Sequence, residues 1–202
     1  IVLVTGVQTC ALPISFAERF EIPFAETQAG KSAVVSSHPL NVGGIGETGC
    51  LAANLLAPEA DLIIGIGTRY TDFTTSSKSL FKHADVQFLN LNISPCDALK
   101  LDGVQVLADA QVALEALAAA LGDYRAGWGE QVRDARAQLD AEVDRVHQVE
   151  YAGDDFVPEV NDRLDRAVLR EFIQLTGSCL TQSRVLGDRK STRLNSSHQY
   201  YL

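Results

Sequence analysis

Two glycine-rich segments, one on each side of an apolar run, hold the residue types and spacings that are best suited to ligand chemistry. Residues 44–49 read GIGETG and match the pattern G-x-G-x-x-G, in which glycines let the backbone approach a phosphate group. Residues 65–69 read GIGTR, so that backbone N–H groups and an arginine would face an anion where a strand ends. Together they predict a groove for a nucleotide or a substrate. Its candidate residues are Gly44, Gly46, Gly67, Thr68 and Arg69.

A purely structural interpretation remains open for each segment. The dinucleotide fingerprint needs a strand directly before the glycines and an acidic residue about twenty positions after them. Pro39 and the serines near it predict a loop before residue 44, and Asp61 comes too early. The glycines of residues 44–49 would then only form a tight turn. Arg69 would pair with Asp72 on the surface.

The other polar side chains form no catalytic or metal-binding pattern. His38, His83 and His147 share no metal-ligand spacing with one another or with a cysteine. Residues 30–32 read GKS but lack the upstream glycine of a phosphate-binding loop. Glu26 ends a predicted strand and has a carboxylate suited to acid–base chemistry, although lone glutamates at strand ends are usually structural. We therefore expect no catalytic residue and no metal ligand in this chain.

The elements that must position the two segments follow from the apolar pattern. The continuous apolar run over residues 61–66 predicts a strand buried on both faces, as in parallel sheets. Alternation over residues 86–93 and a short run over 104–107 predict two further strands. Asp109 is expected to cap a helix that continues to Leu121. Alternating strands and helices predict an α/β fold, a Rossmann-like parallel sheet with flanking helices.

Several connecting regions are assigned by the same rules. Residues 27–42 are polar and interrupted by glycine and proline, which predicts a loop. Residues 129–149 carry one apolar stripe among many charges and predict a long surface helix. Further helices are expected over residues 165–175 and 180–187. Residues 47–56 are expected to form a helix, with Leu51, Leu55 and Leu56 on its apolar face.

The two ends of the chain differ from its middle. Residues 1–15 and 188–202 contain GVQTCALPI and RKSTRLNSSH, which resemble peptides translated from sequencing-adapter DNA. We expect both ends to be artefacts and exclude them from the predicted fold. Residues 16–125 are then expected to form the Rossmann-like domain. Residues 126–187 are expected to form a helical linker to another domain.

Composition excludes several classes of partner. The net charge of −9 is unfavourable for binding nucleic acid or an anionic membrane. No apolar run approaches the ~18 residues of a membrane span. The four cysteines form no C-x-x-C pair, which favours a reduced, cytoplasmic protein.

Three strings carry a resemblance to a known family. FAETQAGKS over residues 24–32, the segment from HPLNVGG to TTSSKS over residues 38–79, and QFLNLN over residues 87–92 resemble the central domain of thiamine-diphosphate enzymes of the acetolactate-synthase type. The resemblance implies that a pyrimidine-binding domain and a diphosphate-binding domain flank this one. It also implies that they bind thiamine diphosphate, and Mg²⁺ through a GDG motif, which this sequence lacks. The first strand of the central domain should precede Phe16, so the domain is expected to be incomplete unless residues 1–4 fill that place.

The resemblance also implies a function for the whole enzyme. ETQAGK and DFTTSSKS favour the branch that hydrolyses a carbon–carbon bond of a cyclic 1,2-diketone in inositol catabolism. That enzyme would act on a small molecule as a homo-oligomer, whereas this chain alone would be inactive and bind no cofactor. Some relatives bind FAD or a nucleotide between the two glycine loops, but this branch is not expected to need FAD. An acetolactate-synthase-like enzyme and a stand-alone nucleotide-binding module remain as alternatives.

Overall fold

The described residues of the chain form two compact units, and the boundary between them along the chain falls between residues 139 and 140. A computed structural model describes residues 2–5, 11–31, 34–148, 150–151, 167–168, 170–171, 174–175, 177, 179–180 and 182–185. The helices expected over 165–175 and 180–187 lie partly outside these residues. Residues 188–202 lie wholly outside them.

The first unit is built on a six-stranded sheet in the order β3-β2-β1-β4-β5-β6. Every neighbouring pair in the sheet is parallel, which confirms the predicted α/β fold. From β1 the chain first adds β2 and β3 on one side and then adds β4, β5 and β6 on the other, so the strand order reverses between β1 and β4. Parallel sheets bind ligands at such a point, beyond the carboxyl ends of their strands. The strands are β1 Val2–Thr5, β2 Phe24–Glu26, β3 Asn41–Gly44, β4 Leu62–Ile66, β5 Gln87–Asn92 and β6 Val104–Leu107.

Helices cover both faces of the sheet. Buried residues of α1 and α5 belong to one hydrophobic cluster, and buried residues of α2 and the first half of α6 belong to a second. Short 3₁₀ turns over Gln28–Gly30, Ala57–Glu59 and Lys100–Asp102 complete the connections. The helices are α1 Ala11–Phe20, α2 Leu51–Leu56, α3 Asp72–Thr75, α4 Pro95–Ala98, α5 Ala110–Leu121 and α6 Gly129–Gln148.

Alternate residues of β4 enter the two clusters. Ile63 packs with α2 and α6, whereas Ile64 and Ile66 pack with α1 and α5. All three are at most 1% exposed, because side chains alternate along a strand and both faces are covered. The continuous apolar run therefore reflects burial of β4 on both of its faces, as predicted.

The loop predicted over residues 27–42 was wrong at its end, because Asn41 begins β3. This strand lies at the edge of the sheet and contains two glycines, so it lacks the apolar alternation that identifies a strand. Hydrogen bonds at both of its ends join it to β2, since the N–H of Phe24 donates to Leu40 O at 2.9 Å and the N–H of Ile45 donates to Glu26 O at 3.0 Å. A strand does precede residues 44–49, contrary to expectation.

The helix predicted over residues 47–56 begins later and buries a different face. Cys50 has an extended backbone at the N-cap, so α2 starts only at Leu51. The buried residues are Ala52, Ala53 and Leu56, whereas Leu51 and Leu55 are 37% and 40% exposed. These three buried residues belong to the hydrophobic cluster that also contains Val42 of β3 and Ile63 of β4.

The centre of the sheet is occupied by β1. Val2–Thr5 pairs with β2 on one side and β4 on the other, and every residue of the strand is buried. It lies where the family resemblance requires a strand before Phe16. Whether residues 1–15 are artefactual stays a prediction.

Among its described residues, the second unit contains the end of α6 and a short strand pair. β7 Glu150–Tyr151 and β8 Cys179–Leu180 pair in antiparallel fashion. Arg184 donates to Gln148 O at 3.1 Å, and Arg145 forms an ion pair with Glu142. The bounds of α6 confirm the predicted long helix to within a residue. Among the described residues of the whole chain, no helix has both the length and the apolar character needed to cross a membrane.

Candidate functional site

A cleft of about 320 Å³ opens at the carboxyl edge of the sheet in the first unit. It is formed by the segments that follow β2, β3 and β4, together with α3. This is the edge at which parallel α/β sheets bind ligands. The cleft is lined by Thr27, Gln28, Ala29, Ile45, Thr48, Gly67, Thr68, Arg69, Thr71, Phe73 and Thr74.

The segment after β4 is held tightly by its neighbours. Gly67 has φ 59°, a left-handed conformation that glycine adopts without strain, and its N–H donates to Leu91 O at 2.9 Å. The side-chain amide of Asn92 donates to Thr68 O at 3.0 Å. The ammonium of Lys100 donates to Arg69 O at 2.6 Å. The backbone of this loop is therefore fixed by β5 and by the turn after α4.

The side chain of Arg69 is exposed and lines the cleft. It forms no ion pair with Asp72 within the described residues, so the predicted surface pairing of these two does not occur. The nearby carboxylate is that of Asp97, whose pKa is lowered chiefly by a hydrogen bond from Lys100, with the charge of Arg69 as a smaller contribution. The guanidinium therefore supplies positive charge at the mouth of the cleft.

The amide groups of the G-x-G-x-x-G segment are largely occupied by the protein itself. The N–H of Gly46 donates to Asn54 Oδ1 at 3.0 Å, while Asn54 Nδ2 donates back to Gly46 O at 2.9 Å. The N–H of Glu47 donates to Phe73 O at 2.7 Å. A dinucleotide loop instead directs such amides at a pyrophosphate. The remaining bonds run from Ile45 N–H to Glu26 O, Gly49 N–H to Gly46 O and Cys50 N–H to Gly44 O.

The cleft brings together some of the candidate residues and not others. Gly67, Thr68 and Arg69 line it, whereas the lining after β3 consists of Ile45 and Thr48. Gly44 and Gly46 are not part of the lining, although both belong to the turn that carries Ile45 and Thr48. The segment 44–49 also follows the edge strand β3, whereas the central strand of the sheet is β1.

Sequence reasoning missed the contributions of β2 and α3. Thr27 and Gln28 lie directly after β2, and their position at a strand end was the one signal that could have identified them. Thr71 and Thr74 line the cleft from α3, where the oxygen of Thr71 caps the helix by accepting the Thr74 N–H. Thr71 therefore serves both as a cap and, together with Thr74, as part of the cleft wall.

The side chains of Glu26 and Cys50 are both buried and have structural surroundings. The carboxylate of Glu26 is 3% exposed and accepts the N–H of Val34 at 3.2 Å, which fixes the loop after β2. The thiol of Cys50 is buried, and burial raises its pKa. Neither side chain lines the cleft.

The donor set of the cleft does not fit a diphosphate bound through Mg²⁺. That ion requires oxygen ligands, usually with at least one carboxylate. Arg69 is the only charged side chain among the described residues that line the cleft, and no cluster of three histidine, cysteine, aspartate or glutamate residues suited to a metal occurs in the described part of the chain. The cleft offers hydroxyls, backbone N–H groups and one guanidinium, which suit an anion without a metal.

Comparison with known proteins gives closely similar relatives. The chain is 53% identical over 174 residues to a 3D-(3,5/4)-trihydroxycyclohexane-1,2-dione hydrolase of Bacillus thuringiensis strain Al Hakam, covering 85% of this chain and 27% of the relative. It is equally identical over 174 residues to the protein of that name from Geobacillus thermodenitrificans strain NG80-2, with 86% and 27% covered. The chain thus spans about a quarter of the length of these relatives.

A family model defines the membership of the chain. The model described as "Thiamine pyrophosphate enzyme, central domain" matches residues 6–117, more than half of the chain. The matched range begins just after β1 and ends within α5, so it contains both glycine segments and the cleft. The chain therefore belongs to the family of thiamine pyrophosphate enzyme central domains.

Proposed function

We propose that this chain is the central domain of a thiamine-diphosphate-dependent hydrolase that cleaves a carbon–carbon bond of a trihydroxycyclohexane-1,2-dione in inositol catabolism. The observation that carries the proposal is the 53% identity over 174 residues to hydrolases of that name. The identity supports this branch over an acetolactate-synthase-like enzyme. The whole enzyme would be a cytoplasmic homo-oligomer that acts on a small molecule.

The chain by itself would have no catalytic activity and would not bind thiamine diphosphate. The donor set of the cleft supports this view, because it has one guanidinium and no carboxylate among its described lining residues. Thiamine diphosphate and Mg²⁺ would be held by the other domains of the whole enzyme. The central domain would orient those domains and contribute a groove beside them.

The groove at the carboxyl edge would bind an anionic group of a nucleotide or substrate. Gly67, Thr68 and Arg69 would provide its donors, because they line the cleft and carry its positive charge. Gly44 and Gly46 would act only by letting the turn after β3 pack closely. A stand-alone dinucleotide site at residues 44–49 is disfavoured by the hydrogen bonds that already occupy its amides.

The function is tested by comparing this chain with the gene product that includes the native flanking sequence. Ring opening of 3D-(3,5/4)-trihydroxycyclohexane-1,2-dione is measured with thiamine diphosphate and Mg²⁺ present. We expect activity from the longer protein and none from the 202-residue chain. If the longer protein instead forms acetolactate from pyruvate and leaves the dione intact, the hydrolase proposal is wrong.

Cofactor binding by the chain is tested separately by calorimetry. We expect no heat of binding when thiamine diphosphate and Mg²⁺ are added to the 202-residue chain. Tight, Mg²⁺-dependent binding would contradict the assignment of the cofactor to other domains. Titration with NAD and FAD in the same experiment tests the stand-alone nucleotide module, which requires binding of one of them.

A further inference from the structure

We propose that Asn92 and Lys100 are positioning residues that turn the peptide group between Thr68 and Arg69 so that the N–H of Arg69 faces the cleft. Neither residue lines the cleft. Each acts by holding a backbone carbonyl on the opposite side of the loop. The inference rests on the proposed role of the cleft as an anion-binding groove and names the residues that prepare it.

The strand order determines which way each carbonyl is turned. The cleft is formed by segments after β2, β3 and β4, whereas Asn92 ends β5, on the other side of β4. Asn92 Nδ2 lies 3.0 Å from Thr68 O, so that carbonyl points toward β5. The structure contains no cis peptide among its described residues, and in a trans peptide the C=O and the following N–H point in opposite directions. The N–H of Arg69 therefore points away from β5, toward the cleft.

Lys100 repeats this arrangement one residue later. Its ammonium lies 2.6 Å from Arg69 O. This lysine belongs to the turn after α4, and α4 packs against β5 and β6. The N–H of Tyr70 therefore also turns toward the cleft side, where it donates to Thr68 Oγ1 at 3.2 Å. Because the Tyr70 N–H is bonded to the Thr68 hydroxyl, the Arg69 N–H is the backbone donor of this pair that is left for a ligand.

Both positioning side chains are themselves anchored. Asn92 is 8% exposed, and its Oδ1 accepts the N–H of Ser94 at 3.0 Å, which leaves its Nδ2 group for Thr68. Lys100 is held by the carboxylate of Asp97 at 2.9 Å. Such anchoring is expected of groups that preorganise a site, because a donor fixed before binding loses little freedom when the ligand arrives.

The donors that result are suited to an anionic oxygen. Within the described residues, no protein acceptor is bonded to the N–H of Arg69, and its guanidinium forms no ion pair. The hydroxyls of Thr71 and Thr74, which lie 3.2 Å apart, also belong to the cleft lining. Charge-assisted hydrogen bonds from such donors are roughly twice as strong as neutral ones. We therefore expect inorganic pyrophosphate to bind here as a simple probe.

The test measures pyrophosphate affinity by calorimetry for the 202-residue chain and matched variants. Asn92→Asp removes the donor to Thr68 O, and exposed Gln87 on the same strand provides the control Gln87→Glu with the same change of charge. Lys100→Met removes the second donor, and exposed Lys82 provides the control Lys82→Met. We expect about tenfold weaker binding in each test variant, no change in the controls, and recovery in Lys100→Arg.

A spectroscopic readout separates positioning from general stability. Pyrophosphate should shift the NMR resonance of the Arg69 amide in the wild type and in both controls, but far less in Asn92→Asp. Equal affinity in Asn92→Asp and Gln87→Glu would overturn the inference, and so would binding that leaves the Arg69 amide unshifted.

Failure of the groove and failure of the positioning are distinguishable. If wild type binds no pyrophosphate, the anion-binding role of the cleft is wrong. The positioning is then judged without ligand, because Asn92→Asp and Lys100→Met should each move the amide resonances of Arg69 and Tyr70 while the controls leave them in place. Unmoved resonances would show that neither side chain sets the orientation of the loop.

Discussion

Gly46 lies directly beneath the carbonyl group of Phe73, so that a Cβ atom at Gly46 would overlap the Phe73 oxygen. The same oxygen accepts the N–H of Glu47 at 2.7 Å. The turn after β3 and the start of α3 therefore meet through backbone atoms alone. This contact joins two walls of the cleft, and it is possible only because residue 46 has no side chain.

Gly46→Ala should destabilise the first unit strongly. The φ of Gly46 is +106°, which side chains rarely adopt, and the added methyl group would displace Phe73 and Thr74. We expect a loss of about 2–4 kcal/mol in the free energy of unfolding, from backbone strain and overpacking together. Urea denaturation followed by circular dichroism measures it.

Two other glycines separate these contributions. Gly127 has φ +70° but open space around it, so Gly127→Ala should cost only the strain, about 1–2 kcal/mol. Gly129 opens α6 with no close backbone contact, so Gly129→Ala should cost nothing measurable. If Gly46→Ala costs no more than Gly127→Ala, the close contact with Phe73 is not present in solution.

Tyr70→Phe should stabilise the protein. The Tyr70 ring is 6% exposed and packs edge-on against Phe88, and its hydroxyl has no hydrogen-bond partner in the described part of the chain. Removing a buried, unpaired hydroxyl is expected to raise the free energy of unfolding by about 1 kcal/mol. Thermal unfolding of this variant beside Tyr124→Phe, whose ring is 39% exposed, provides the comparison. A clear loss of stability would mean that the hydroxyl has a partner in solution.

The same substitution should alter the alkaline limb of the stability profile. Burial raises the pKa of Tyr70, so the neutral phenol is favoured in the folded state. A raised pKa gives stability that is complete below the unfolded value of about 10 and is lost as pH rises above it. The wild type should therefore lose stability above about pH 10 more steeply than Tyr70→Phe. Identical slopes would show that Tyr70 does not contribute.

Arg136→Ala should loosen the edge strand. The guanidinium of Arg136 on α6 donates to the carbonyl oxygens of His38 and Asn41, and more distantly to Ser36. Hydrogen bonds from a charged donor contribute roughly 1.5–3 kcal/mol, so we expect a loss of about that size. Urea denaturation gives the total, and amide hydrogen exchange over residues 36–44 shows its location.

A second arginine on the same helix provides the control for Arg136. Arg133 is exposed and donates to no carbonyl among the described residues, so Arg133→Ala should change neither quantity. Faster exchange confined to α6 in Arg136→Ala, with β3 unchanged, would argue against the role of these contacts.

Cys50 and Cys96 should differ in reactivity. Cys50 is buried and its pKa is raised by burial, whereas Cys96 is exposed. Because the thiolate is the reactive form, iodoacetamide should label Cys96 at least about tenfold faster than Cys50. Peptide mapping by mass spectrometry measures each site separately. Comparable rates would mean that the segment around α2 opens readily.

Local pattern was sufficient for much of this fold. The apolar run before Ile66, the alternation through Phe88 and Leu91, and the cap at Asp109 each predict an element that is present within a residue or two of the expected bounds. These signals are reliable because they reflect double-sided burial, pleat geometry and the unpaired N–H groups of a helix start. The resemblance carried by residues 24–92 likewise agrees with the family match.

The site depended on contacts that no local pattern encodes. The sequence alone determined that the glycine segment of residues 65–69 ends a strand of a parallel sheet, whereas the strand before residues 44–49 was not predicted. Only the tertiary structure decided that Asn54 and Phe73 occupy the amides of Gly46 and Glu47, whereas no protein acceptor among the described residues binds the N–H of Arg69. The physical reason is that every residue except proline has the same backbone N–H, so the sequence does not show which of these groups will be bonded within the protein. The availability of each group is set by whichever acceptor the fold brings within hydrogen-bonding distance.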